Sequence, residues 1–272
     1  MKYKKTLSLL AIIITAVACS TNPFTGKKTL ALVPNSQILP MAFQQYDQFL
    51  NEHKVVKGTA DAQMIQKVGQ KIARASERYL TANGYSGYLK NYRWEYNLVQ
   101  DDAVNAWCMP GGKIVFYTGI LPVTQNEAGV AAVMGHEVAH ALANHGQQRM
   151  SAGQLQQLGA VAGNLALSKN PENQQLFNQY YGVGTQVGVL LPFSRSNETE
   201  ADKIGLTLMA IAGYDPSVAA DLWMRMQQQG GGAPPEILST HPSNDTRIRN
   251  IQSWAAGAKA EARKYGVTSF KK

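Results

Sequence analysis

The sequence predicts an α+β fold, mostly helical, with a small antiparallel or mixed sheet. Two observations carry that prediction. Apolar residues recur at helical spacing along most of the chain, whereas the alternating runs that mark strands are confined to residues 93–117. No internal repeat is visible, and 272 residues with 44% hydrophobic content suffice for one globular domain, or two small ones, with a real core.

The elements follow in chain order. Three lysines in the first five residues precede a 13-residue apolar run, Thr6 to Ala18. That is a secretory signal over residues 1–18, too short for a membrane span of about 20 residues. Ala16-Val17-Ala18-Cys19-Ser20 resembles a bacterial lipobox. The resemblance implies cleavage before Cys19, lipidation of its thiol, and a tether that does not cross the membrane. No Asp follows Cys19, which favours the outer membrane, facing the periplasm. Residues 19–38 then read as a lipidated tether or extended packed arm, and 39–272 as the folded domain.

Met41 to His53 suits a short helix. Asp61 to Leu80 carries Ile65, Val68 and Ile72 at helical spacing. Arg93 to Gln100 alternates, and the Pro110-Gly111-Gly112 turn leads into a second strand, Lys113 to Tyr117. Thr124 and Glu127 have capping-box spacing for a helix reaching about Met150. Gln154–Leu167 and Phe177–Leu191 are apolar and short of spanning length, and read as packed helices. Pro192 interrupts the pattern before a helix from about Ser196 to Ala212. Asp215-Pro216 opens another to about Gln229. Gly230–Gly232 with Pro234-Pro235 forms a loop, and a last helix runs from about Asn244 to Tyr265.

Charge narrows the function. The chain has 26 basic and 18 acidic residues, and removal of Lys2, Lys4 and Lys5 with the signal leaves +5. With no basic run, nucleic acid is not a partner. Two cysteines make no disulfide framework. Lipidation would consume Cys19, leaving Cys108 as a small buried hydrophobe.

The chemistry lies in His136-Glu137-Val138-Ala139-His140. Five His and ten Glu, shuffled, produce H-E-x-x-H only about 0.003 times per sequence. On a helix the two imidazoles are one turn apart on one face and can share Zn²⁺, while Glu137 reaches a water beside it. A third ligand is required. Glu198 and Asp202, four residues apart, share a helical face; Glu200 lies about 200° from Glu198 and faces elsewhere. Asp202 can accept the free ring N–H of His136 or His140.

H-E-x-x-H followed 58 residues later by N-E-x-x-A-D resembles the zinc metallopeptidase family of HtpX, the CAAX prenyl endopeptidases and the mitochondrial Oma-type proteases. Asn22-Pro23-Phe24-Thr25-Gly26-Lys27, Asn105-Ala106 with Pro110-Gly111-Gly112-Lys113-Ile114, Ser194-Arg195-Ser196-Asn197-Glu198, and Thr240-His241-Pro242 with Arg247 are similar to further stretches of that family. The resemblance implies a gluzincin, zincin-like metallopeptidase domain over 39–272. It implies one Zn²⁺ per chain on His136, His140 and Glu198, with Glu137 as catalytic base and Asp202 as proton donor or support for a ligand histidine.

His241 suits an oxyanion donor or a cap on the metal, and Arg247 suits a carboxylate clamp. His145, nine residues after His136 on an unbroken helix, faces away from the metal; His53 has no supporting pattern. Ile114 and Phe116 suggest an edge strand on which an extended polypeptide pairs. The expected activity is endopeptidase cleavage of unfolded or misassembled envelope polypeptides, on a membrane through the N-terminal lipid. The alternative is a latent or chaperone-like zinc module that assists outer-membrane protein assembly.

Overall fold

The computed structural model describes residues 19–228, 236–242 and 245–272. The expected signal (1–18) and the Gly230–Pro235 loop lie outside the described residues. Contacts divide the chain into two compact units: residues up to Ile38 with Asn144–Asn197, and Leu39–Ala143 with Glu198–Lys272.

The second unit holds a four-stranded sheet of β3 (Val55–Val56), β4 (Glu95–Val99), β5 (Ala106–Met109) and β6 (Lys113–Tyr117), in the order β3-β4-β6-β5. β4 and β6 run parallel, with Asn97 opposite Val115; β5 and β6 run antiparallel, with Trp107 opposite Val115. β6 is therefore central, not the edge strand that its sequence suggested. Its Ile114, Val115 and Phe116 are wholly buried, the signature of a strand covered on both faces. β5 ends the sheet instead.

Helix α1 (Asn35–Glu52) starts six residues earlier than expected, with Pro40 inside it; at the sixth position that proline forfeits one backbone hydrogen bond of the helix. Helix α2 (Ala60–Ala82) is capped by Thr59, whose side chain accepts from the Ala62 N–H. It buries Ile65, Val68 and Ile72 and packs on β4. After a short helix α3 (Leu121–Thr124), helix α4 (Glu127–Leu142) carries H-E-x-x-H. Its cap is Asn126, which accepts from the Gly129 N–H, and no Thr124–Glu127 capping box forms. Gln125 turns the chain at φ +65° and moves the helix start past Thr124. α4 packs against α2 and β5, and nearly all of it is buried. That burial explains its Ala, Val and Gly content.

The helix does not continue to Met150. Asn144 adopts a left-handed φ of +57°, and helix α5 (His145–Ala166) begins after it. The break belongs to an Asn, one of few residues that tolerate that conformation. In the first unit α5 is followed by helix α6 (Pro171–Thr185) and a π-helical turn, Gln186–Leu190; these are not the packed helices expected, since Leu158, Val161, Leu165 and Val183 are exposed. The N-terminal segment there is an ordered antiparallel hairpin, β1 (Cys19–Thr21) with β2 (Lys28–Leu30). Asn22 and Gly26 (φ +68°) close it.

Helix α7 (Leu191–Ile211) starts before the expected break at Pro192. The wider π turn, closed by the Leu191 N–H on the Gln186 carbonyl, relieves the clash that a proline ring makes with the preceding turn. Helices α8 (Val218–Gln228), α9 (Glu236–Thr240) and α10 (Asp245–Lys264) complete the second unit.

Candidate metal centre

α4 and α7 are drawn together by glycine. A Cβ built on Gly135 would lie 2.8 Å from the Gly205 carbonyl oxygen, and one on Gly205 would lie 2.9 Å from the His136 amide nitrogen. No side chain fits there. Gly205 shares a helical face with Glu198 and Asp202 at i, i+4 and i+7, so the close approach aims both carboxylates at the α4 histidines. Neither glycine was singled out from the sequence, although each sits one turn or less from a motif residue.

His136, His140, Glu198 and His241 each offer a donor atom, all within 4.8 Å of one another. His140 Nε2 and His136 Nε2 are 3.1 Å apart, and His136 Nε2 and His241 Nδ1 also 3.1 Å. Glu198 Oε1 is 3.0 Å from His241 Nδ1 and 3.2 Å from His140 Nε2; its Oε2 is 3.4 Å from His136 Nε2. Donors on a tetrahedral zinc, at 2.0–2.1 Å, are spaced about 3.3 Å apart. Three imidazoles and a carboxylate at these separations fit zinc in spacing and chemistry.

The charges point the same way. Glu137, Glu198 and Asp202 are buried, and the Arg247 guanidinium lies beside the last two. Burial opposes charge on Glu198, yet the His136, His140 and His241 contacts hold its carboxyl far below the usual range. Burial likewise opposes charge on His136, but Asp202 and Glu198 more than offset it and hold the ring at about 9. Burial drives His140 down to about 3 despite Glu198. Glu137 Oε1 is buried with no hydrogen-bond partner, an orphan acceptor aimed into the site with His241 Nε2 3.5 Å away.

Asp202 chooses between the two α4 histidines: its Oδ1 is 3.0 Å from His136 Nδ1. Arg247 clamps that carboxylate, donating from Nε to Oδ2 at 2.8 Å and from Nη2 to Oδ1 at 2.7 Å. Its Nη1 donates to the His241 and Pro242 carbonyls at 3.2 and 3.0 Å. The guanidinium lies 3.8 Å from the Trp223 ring centre, and Trp223 meets His136 edge-on. Sequence reasoning missed Trp223, which lies on α8 with no motif around it.

The profile of peptidase family M48 matches residues 60–255. The chain belongs to peptidase family M48. M48 peptidases use zinc, and the donor group above is one able to hold it. Among curated relatives, the mitochondrial metalloendopeptidase OMA1 of Schizosaccharomyces pombe is 36% identical over 192 residues, 70% of this chain and 54% of the relative. OMA1 of Arabidopsis thaliana is 38% identical over 189 residues, 70% of this chain and 36% of the relative. The β-barrel assembly-enhancing protease of Escherichia coli is 29% identical over 168 residues, 60% of this chain and 34% of the relative. The chain thus spans about half, or less, of the curated relatives it matches.

The remaining candidates separate cleanly. His145 is buried at the start of α5 and lies outside the donor group. The α4 helix ends before it, so its expected phase on that helix does not apply. His53 stacks on Phe49 at 3.8 Å, with Nδ1 2.8 Å from the Phe49 carbonyl. Cys108, on β5, is half-buried rather than fully so, and burial pushes its thiol well up. Glu200 is half-buried and outside the donor group.

Proposed function

We propose that the chain is a zinc-dependent endopeptidase whose metal is held by His136, His140 and Glu198. The observation that carries this is the orphan Glu137 Oε1, buried beside a donor set spaced for zinc. Zinc supplies Lewis acidity to water and to the scissile carbonyl. Glu137 accepts the proton of the attacking water and returns it to the leaving nitrogen. Asp202 fixes the His136 tautomer so that Nε2 faces the metal, and Arg247 keeps Asp202 charged and aimed. An extended substrate adds to β5, the end strand of the sheet that packs against α4.

Glu137→Gln is expected to keep one zinc per chain and to lose about 10²–10⁴ of the casein cleavage rate. Wild-type cleavage by that variant would sink the proposal, as would cleavage by metal-stripped protein. Zinc binding with no chelator-sensitive cleavage would favour the chaperone-like module.

A latent form has its own support. His241 stands as a fourth donor, 3.0 Å from Glu198 and 3.1 Å from His136, and a catalytic zinc keeps one position open. In this reading His241 leaves when substrate or a partner arrives, so His241→Ala raises cleavage. If His241 instead serves the oxyanion, that variant lowers it. The cellular reading is a lipid-anchored protein of the cell envelope, tethered through Cys19 to the outer membrane and facing the periplasm. It cuts unfolded or misassembled polypeptides there; the E. coli relative's name supports a link to β-barrel assembly.

A further inference from the structure

We propose that the α5–α6 hairpin of the first unit inserts its flanks into the lipid bilayer, independently of any lipid on Cys19. Among the described residues, eleven of the twelve exposed large hydrophobic side chains lie between Met150 and Leu191. Between Arg149 and Arg195 the only charged residues are Lys169 and Glu172, both at the hairpin tip.

The hairpin is built inside out. Where the helices meet, the contacts are polar or set an aromatic ring against a glycine. Gln156 Nε2 donates to Thr185 Oγ1 at 2.7 Å, and the Asn164 and Asn178 amides donate to each other at 2.7 and 2.9 Å. Gly159 and Gly163, a G-x-x-x-G pair, receive the rings of Tyr181 and Phe177. A Cβ on Gly163 would lie 2.2 Å from the Phe177 ring. The apolar residues point the other way. On α5, Leu158, Val161 and Leu165 lie roughly opposite Gln156, Gly159 and Gly163 at 100° per residue. After the tip, Leu176, Tyr180 and Val183 follow one stripe of α6 at i, i+4 and i+7, likewise turned from the pairing face, and Val187, Val189 and Leu191 beyond it are exposed as well. Leu165 is 74% exposed and Val161 67%.

Glycines and amides at the pairing face, with two rings seated on the glycines and Leu and Val outside, is a pattern of helices paired in lipid. The two apolar flanks face away from each other, so one protein groove covers only one of them, whereas a surrounding hydrocarbon layer covers both. No described helix is long and apolar enough to cross a membrane. From Ser151 to the end of α5 the helix extends about 23 Å, short of a hydrocarbon core of about 30 Å. The hairpin therefore dips in without spanning.

Its root is fixed to the N-terminal hairpin: Ser151 Oγ accepts from the Leu32 N–H at 3.0 Å, and Gln147 Nε2 donates to the Val33 carbonyl at 2.7 Å. β1 of that hairpin begins at the exposed Cys19. The apolar chain ahead of Cys19, or a lipid upon it, thus leaves from the same unit; that last point rests on the lipid-anchored reading, and the test removes the lipid.

The test uses Cys19→Ser chain, which cannot be acylated, and vesicles of phosphatidylethanolamine and phosphatidylglycerol at about 3:1. The Cys19→Ser protein is expected to float with the vesicles. Adding Leu158→Ser, Leu165→Ser, Val183→Ser and Val187→Ser is expected to cut the bound fraction at least tenfold, with casein cleavage in solution unchanged. A Cys19→Ser protein that stays in the soluble fraction overturns the proposal. So does a quadruple variant that floats as well as its parent, or a parent dimer in sedimentation velocity that ignores vesicles and is split by the four serines. If the quadruple variant misfolds, Val161→Cys carrying an environment-sensitive dye, in a Cys19→Ser/Cys108→Ser background, decides. A blue shift with vesicles supports insertion, and unchanged emission refutes it.

Discussion

At the residue scale, Arg247 holds the site's electrostatics in place. It faces Asp202 through two hydrogen bonds, approaches Glu198 Oε2 at 3.2 Å, and stacks on Trp223. Removing one member of a buried charge pair strands the other and costs about 3–5 kcal/mol. Arg247→Met is therefore expected to lower the stability of the zinc-stripped protein by that order, read from urea unfolding. Asp202→Asn removes the charged acceptor opposite His136 Nδ1. It should weaken zinc binding about 10–100-fold in chelator competition, while an unchanged affinity would show that His136 is oriented by packing alone. The shared faces of His136 with His140 and of Glu198 with Asp202 were legible from spacing, because each pair lies on a helix whose period sets its facing, whereas the choice of Glu198 as third donor came from the family resemblance. Which histidine Asp202 meets was not legible: both rings are on the same face, and only the crossing of α4 and α7 selects His136.

At the element scale, that crossing is the decisive feature. Gly205→Ala inserts a methyl against the α4 backbone. Overpacking of this kind costs about 1–3 kcal/mol, and here it also spreads the ligands. The expected outcome is a lower melting temperature together with weaker zinc binding; a loss of stability with zinc affinity intact would separate the crossing from the site. Local signals misjudged several boundaries for related reasons. Thr124 and Glu127 have capping-box spacing, but the positive φ at Gln125 hands the cap to Asn126. Pro192 reads as a breaker, yet a π turn before it lets the helix pass. In each case one backbone angle or turn, invisible in composition, outweighed a propensity.

At the scale of the whole molecule, the start of α4 is a meeting point of distant chain segments. Glu127 pairs with Lys67 at 2.7 Å and Lys271 at 3.0 Å, and accepts from the Tyr214 hydroxyl at 3.0 Å. The Lys67 hydrogen bond above all, helped by Lys271 and Tyr214 against some burial, holds its carboxyl down to about 2. A depressed carboxyl stabilises the fold fully above its unfolded value of about 4.5. That stability is lost as pH falls through about 2. The gap in urea midpoint between wild type and Glu127→Gln should be constant near neutrality and close between those limits; a gap that persists at pH 2 would contradict the linkage. None of these partners is within 50 residues of Glu127, so no local pattern announces them.

What the sequence by itself determined was the chemistry and its helices. A period of 3.6 residues converts H-E-x-x-H and E-x-x-x-D into facing donors wherever those helices end up. What only the tertiary structure decided was which surfaces meet. β6 became the central strand because β4 and β5 pair on its two sides, and backbone pairing leaves no mark on side-chain pattern. His241 joined the donor set from more than 40 residues beyond Glu198 because α9 returns the chain there, and chain return depends on packing summed over many contacts rather than on any local spacing.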